Sequence, residues 1–155
     1  MLRHPSLRPL SRQHHHALAL CVLIRRELGG AAPDLAALSR TALREFDSAI
    51  RQHFALEEQV LFPAITAELG PMPVIARLLE EHRRLEQLAE EIAATRSAPA
   101  LSAFAALLND HVRLEENELF EPVQARLKPE TLARLGSELG EGPASNETGT
   151  PKCKL

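Results

Sequence analysis

Apolar residues recur every three or four positions along most of this chain, the period of an amphipathic helix. The first such stretch runs from about Leu10 to Leu28, with Leu10, Leu18, Cys21, Ile24 and Leu28 on one stripe, and Gly29-Gly30 stops it. The second begins near Pro33-Asp34, a helix-start pair, and reaches Leu69. Its stripe is Leu35, Leu38, Leu43, Phe46, Ile50, His53, Glu57, Val60, Leu61 and Ala64, and Pro63 should kink it. A third spans about Pro73 to Arg96, with Ile75, Leu78, Leu79, His82, Leu85, Glu86, Ala89 and Ile92 inward. A fourth spans about Ala100 to Leu127, with Phe104, Leu107, Leu108, His111, Leu114, Glu115 and Leu119 inward and a kink expected near Pro122. Pro129 opens a short fifth helix, ending near Leu139. Residues 1–9 read as a polar arm kept extended by Pro5 and Pro9, and 140–155, without periodicity, as a disordered tail.

Four long helices with short connections predict an all-α, up-down-up-down antiparallel four-helix bundle over residues 10–139. Histidine and glutamate interrupt the apolar stripes of these helices. His53-Phe54-Ala55-Leu56-Glu57-Glu58 and His111-Val112-Arg113-Leu114-Glu115-Glu116 begin two near-copies of one phrase, HxxLEExxLF with a proline close behind. On a helix, residues four apart share a face, about 6 Å apart along the axis. His53 therefore projects with Glu57, His111 with Glu115, and His82 with Glu86. On the first helix His14 lies on the better stripe. His15, about 100° round, lies on a poorer one and remains a second candidate, whereas His16 points elsewhere. Counted from the connections, these groups fall within one or two turns of a common height.

A buried layer of ionisable groups is costly unless paired or bound to metal. No Arg or Lys lies on these stripes to neutralise the carboxylates. Imidazole mixed with carboxylate suits Fe, Mn or Zn, whereas Mg or Ca sites are built of oxygen. Six or seven ligands exceed the needs of one ion, so two metals fit better, with Glu57 and Glu115 placed to bridge them. Glu86 is a candidate terminal ligand or a partner of His82. Glu58 and Glu116 are expected at the surface or orienting a ligand ahead of ligating, and Glu118 could ligate, orient a ligand or face solvent. Leu56, Val60, Leu78 and Leu114 are expected beside the ligands.

The chain is 155 residues long with a net charge of −3, and lacks both Trp and Tyr. No basic footprint or aromatic platform for nucleic acid is present. The longest apolar run, Ala17 to Ile24, is too short to span a bilayer. Cys21 and Cys153 make no disulfide framework, which points to a reducing, cytoplasmic setting.

The ordered series from Leu10-Ser11-Arg12-Gln13-His14-His15 through His53-x3-Glu57, Leu61-Phe62-Pro63 and Glu81-His82 to His111-x3-Glu115 resembles the hemerythrin-like, or HHE cation-binding, family. The resemblance implies a four-helix bundle holding a non-haem, oxo- or hydroxo-bridged di-iron centre. His14 or His15, His53, His82 and His111 would be nitrogen ligands, with Glu57 and Glu115 the bridges. Oxygen-carrying members have HxxxH where this chain has His82-x3-Glu86, and HxxxxD where it has His111-x3-Glu115. More carboxylate should favour the oxidised metal over reversible oxygen carriage.

The expected function is therefore binding or sensing of oxygen or a related small oxidant (peroxide, nitric oxide), or iron handling. The alternatives are a di-iron oxidase or peroxide-detoxifying enzyme and a metal-stapled interaction module. No general base stands out, and ferritin-like enzymes use ExxH, the opposite order.

Overall fold

A computed structural model describes residues 2–140. Cys153 and the expected tail beyond Gly140 lie outside the described residues. The described chain is all-helical, with no strand, and packs as a helical bundle. Helix α1 is Arg8–Leu28. Helix α2 occupies 35–69 as three α segments, Leu35–Glu45, Arg51–Leu56 and Phe62–Leu69, joined by π turns at Phe46–Ile50 and Glu57–Leu61. Helix α3 is Pro73–Thr95. Helix α4 occupies 98–126, as Ala98–Leu114, a π turn at Glu115–Phe120, and Glu121–Arg126. Helix α5 is Pro129–Gly140. None of these helices is long and apolar enough to cross a membrane.

The termini follow local chemistry. The Asp34 side chain accepts from Ala37 N at 2.9 Å and opens α2. Ser97 does the same for α4 through Ala100 N. Gly70, at φ 81, ends α2 in a conformation that costs a Cβ-free residue little.

At the prolines where kinks were expected, the helix widens. Pro63 has no N–H, and its ring would collide with the carbonyl of residue 59 in a regular α-helix. The turn just before it opens to π, with Phe62 N–H bonding Glu57 O. A second such turn, Glu115–Phe120, precedes Pro122. Both π turns therefore begin at the inward glutamate of the repeated phrase. π turns of this kind cluster at functional sites.

The expected N-terminal arm is structured. Pro5–Leu7 forms a 3-10 turn and Leu7 is fully buried. That turn packs against α5, close enough that a Cβ on Gly136 would meet Ser6 Oγ at 2.8 Å. Glu68 at the end of α2 caps α5 from outside, accepting from Lys128 N and Thr131 Oγ1, both at 2.6 Å. On α1, Leu20 is buried in place of the expected Leu18, which is only half-buried.

The core divides in two. One apolar cluster gathers Leu20, Cys21, Ile24, Phe46, Phe54, Phe104 and Leu108 with their neighbours. The other gathers Leu7, Leu10, Leu61, Ile65, Leu78, Phe120 and Leu135 with theirs. Burial of these side chains supplies the driving force for the bundle, on the order of 1.5–3 kcal/mol for each large one. The buried polar residues His14, His53, Glu57, His82, His111 and Glu115 belong to neither cluster.

Candidate metal centre

Each rod supplies its part of this polar layer from the face that the apolar stripe dictates. Helix α1 brings His14, α2 brings His53 and Glu57, α3 brings His82, and α4 brings His111 and Glu115. All six are buried, with Glu57, His111 and Glu115 wholly so. Their ligand-type atoms form two overlapping groups within 4.8 Å: His14, His53, Glu57 and Glu115, and then Glu57, His82 and His111.

Glu57 belongs to both groups. Its Oε1 lies 3.0 Å from His53 Nε2, and its Oε2 lies 3.3 Å from His82 Nε2. Glu115 Oε2 lies 3.1 Å from His14 Nε2 and 3.6 Å from His111 Nε2. Each carboxylate therefore reaches imidazoles of both groups.

The outer nitrogens determine what the inner ones can do. His14 Nδ1 faces Glu116 Oε1, His53 Nδ1 faces Gln13 Oε1 and His82 Nδ1 faces Glu58 Oε1, each at 2.7 Å. His111 Nδ1 faces Glu81 Oε2 at 3.0 Å. Each Nδ1 donates to its oxygen, which leaves a lone pair on Nε2. With the rings neutral, four Nε2 lone pairs and four carboxylate oxygens converge with no donor among them, those of His14 and His53 only 3.0 Å apart. The Glu57 and Glu115 oxygens and the Nε2 atoms of His82 and His111 have no hydrogen-bond partner. Unsatisfied polar atoms this deep are rare in native proteins. A donor set of imidazole and carboxylate, oriented from behind by hydrogen bonds, fits a divalent cation.

The electrostatics agree. Burial alone would depress His14, yet its contacts with Glu115 and Glu116 push it up to about 10. Burial likewise opposes charge on His82, and Glu57 and Glu58 still raise it. Burial would raise Glu57, and His53 and His82 instead hold it well below the usual range. The layer thus demands positive charge, and among the described residues no Arg or Lys is buried in it, so in the metal-free chain protons supply it.

The repeated phrase also explains its aromatic residue. Phe120 stacks on the His14 ring at 5.4 Å between centroids, and Phe62, its counterpart, stacks on His82 at 6.0 Å. Phe54 covers the His82 ring more closely, at 3.8 Å.

Two sequence candidates stay outside the layer. His15 is exposed, so of the pair on α1 only His14 turns inward. Glu86 is 47% exposed and pairs with Arg51 at 3.2 Å. It shares a face with His82 but lies about 6 Å further along the axis, level with that arginine. Glu118 is exposed as well. Glu58 and Glu116 hold histidines from behind, as their positions allowed. Glu81 was missed, as was the role of Gln13. Each directly precedes a layer histidine and reaches across to the next helix. The only signal was that position, since neither lies on an apolar stripe.

Arginines clamp two of these outer carboxylates. Arg3 donates to the Glu116 carboxylate and carbonyl and lies over the Phe120 ring at 5.1 Å. Burial would raise Glu116, but the bonds from His14 and Ser11, together with Arg3, hold it down at about 2. Arg77 donates to Glu81 at 2.8 Å.

A pocket of about 300 Å³ opens beside the layer. Its walls include Ala17, Leu20, Ile50, Phe54, Leu108 and Val112, and it touches His14, His53 and His111. Glu45, Ala49 and Ile50 on its lining lie in or next to the π turn at Phe46–Ile50. Of the residues expected to line it, Leu78 and Leu114 belong to the second apolar cluster and Leu56 and Val60 pack against that cluster, and none of the four is on this pocket's wall.

An all-helical fold with a histidine–carboxylate layer spread over four rods is that of a metal-binding helical domain. The chain belongs to the hemerythrin HHE cation binding domain family, whose pattern matches residues 7–123. No curated protein and no solved structure gives a significant match.

Proposed function

We propose that the layer holds two iron ions bridged by Glu57 and Glu115, in a bundle whose four long rods run up-down-up-down. His14 and His53 would serve one ion, and His82 and His111 the other. The protein would bind or sense oxygen or a related small oxidant such as peroxide or nitric oxide. The observation that carries this reading is the convergence of unpartnered Nε2 and carboxylate atoms from α2, α3 and α4 beside the His14–His53 Nε2 contact, with Glu57 and Glu115 each reaching both sides. Two divalent ions bring four positive charges. Two glutamates offset part of that, leaving room for an anionic or electron-accepting ligand. Iron in such a site supplies reversible one-electron chemistry at each ion.

The remaining duties fall to the chain. Glu116, Gln13, Glu58 and Glu81 keep each Nε2 aimed inward. Phe54, Phe62 and Phe120 fix the ring planes and keep water off them. The apolar pocket against His14 and His53 offers a small, weakly hydrated ligand a way in, a feature that a merely stapling metal would not need.

Metal analysis and the electronic spectrum of aerobically purified protein test the reading. Two irons per chain and charge-transfer bands that shift on adding azide are expected. Zinc with a featureless spectrum, or a chain without metal, would overturn it.

A further inference from the structure

The layer is built on a pseudo-twofold that its surroundings break. Helices α2 and α4 carry the repeated phrase, and α1 and α3 each present one histidine preceded by an acceptor side chain. That acceptor is Gln13 on α1, donated to by His53 Nδ1, and Glu81 on α3, donated to by His111 Nδ1. The residues after the inward glutamates also correspond: Glu116 serves His14, and Glu58 serves His82.

The charges behind the two halves therefore differ. Behind His14 and His53 stand one carboxylate, Glu116, and a neutral amide, Gln13. Arg3 neutralises that carboxylate through a clamp whose side chain is only 18% exposed. Behind His82 and His111 stand two carboxylates, Glu58 and Glu81. The cation there is Arg77, bound to Glu81 and 60% exposed, so solvent screens it more. Glu58 pairs with no Arg or Lys among the described residues. The balance is near neutral on the first half and about one negative charge on the second.

A carboxylate accepting from Nδ1–H pulls that hydrogen and makes the opposite nitrogen a stronger donor, and an amide does so less. We propose that the two metal positions are unequal, and that the difference between Gln13 and Glu81 sets the order. This rests on the two-metal reading above. The position served by His82 and His111 binds its cation more tightly and fills first. The position served by His14 and His53 fills second and releases its cation more readily. Gln13 and Glu81 act as positioning residues that tune the metals through histidines.

The isosteric exchanges Gln13→Glu and Glu81→Gln test this, because each keeps the acceptor oxygen and alters only charge. Gln13 is exposed, so its variant should fold even if Glu81→Gln, at a more buried site, does not. Metal-free full-length protein is titrated with Co(II). Calorimetry gives the stepwise constants, and paramagnetic shifts of the imidazole signals show which pair of histidines responds first. In the native chain, two steps about 10–100-fold apart are expected, the usual size of such effects, with His82 and His111 responding first. Gln13→Glu should narrow the gap by tightening the second step, and Glu81→Gln should narrow it by weakening the first. The double exchange should reverse the order of the histidine signals.

Equal native constants, or an order that the double exchange leaves unchanged, would overturn the inequality while leaving two-metal binding intact. Binding of one Co(II) or none would overturn both readings together.

Discussion

His14 Nε2 and His53 Nε2 stand 3.0 Å apart, although each ring carries its hydrogen on the opposite nitrogen, against Glu116 and Gln13. With both rings neutral two lone pairs face each other, and without metal only a proton, which His14 holds up to about 10, can lie between them. A cation converts the same geometry from repulsion into coordination, so metal and fold should be linked. Stripping metal with a chelator should lower the melting temperature. At free metal 1,000-fold above its Kd the linkage is about 4 kcal/mol, or ~10 °C for a domain of this size. Calorimetric scans before and after chelation, with metal added back, check this.

Glu57→Gln separates the metal role from a structural one. The amide puts an N–H₂ where a carboxylate oxygen now faces His53 or His82, so it cannot serve both sides. Metal per chain should fall by at least half. In metal-free protein His53 and His82 hold the Glu57 carboxylate well below its usual range, so the variant, which loses that pairing, should be less stable there near neutral pH. Metal analysis and melting of both metal-free forms check the two effects. A variant that keeps full metal content would remove Glu57 from the bridge.

Arg3 lies far from Glu116 in sequence yet clamps it, and Glu116 in turn holds His14. Arg3→Ala uncovers the Glu116 charge behind His14 and should tighten metal binding at the His14–His53 position by about 10-fold, the lower end for a group acting from behind a ligand, while the bundle stays folded. Arg3→Lys keeps the charge and should stay nearer wild type, although a single ammonium cannot reproduce the guanidinium fork. Competition against a chromophoric chelator gives the affinities.

Gly136 reports on the docking of α5. Within a helix, Gly→Ala ordinarily stabilises by up to about 1 kcal/mol. Here the new Cβ would meet Ser6 Oγ at 2.8 Å, with Ser6 Cβ and Cα close behind at 3.2 and 3.3 Å. Overpacking should outweigh propensity, and Gly136→Ala should destabilise by about 1–3 kcal/mol. In a Ser6→Ala background the nearest clash is gone and the loss should shrink markedly. Urea denaturation of the four proteins in this double-mutant cycle measures the coupling.

Glu68 gives a pH signature away from the metal layer. Its bonds from Thr131 and Lys128 hold its carboxyl below the ordinary 4.5. A lowered carboxylate contributes stability above its unfolded value and loses it as pH falls through the folded one. The advantage of wild type over Glu68→Gln should therefore be constant near neutrality and vanish in acid, beginning below about 4.5. Urea midpoints of both proteins from pH 7 to pH 3 check it.

Much of this protein was legible in its residues because helical geometry is local. Apolar period and Gly/Pro breaks located the rods, and i,i+4 spacing put His53 with Glu57 and His111 with Glu115. What tertiary structure alone decided is rotation and height. His14 and His15 differ by about 100°, and only the packing of α1 against its neighbours turned His14 inward. Glu86 has the spacing of a partner to His82 but lies a turn beyond the layer, beside Arg51. Glu81 looks peripheral on its own helix and meets His111 only because α3 and α4 pack together. The N-terminal residues show no helical period, so their clamp on Glu116 could come only from contacts more than a hundred positions apart. Spacing along one rod follows from the backbone, whereas contact between rods depends on how each is turned, and here π turns before two prolines help set that turn.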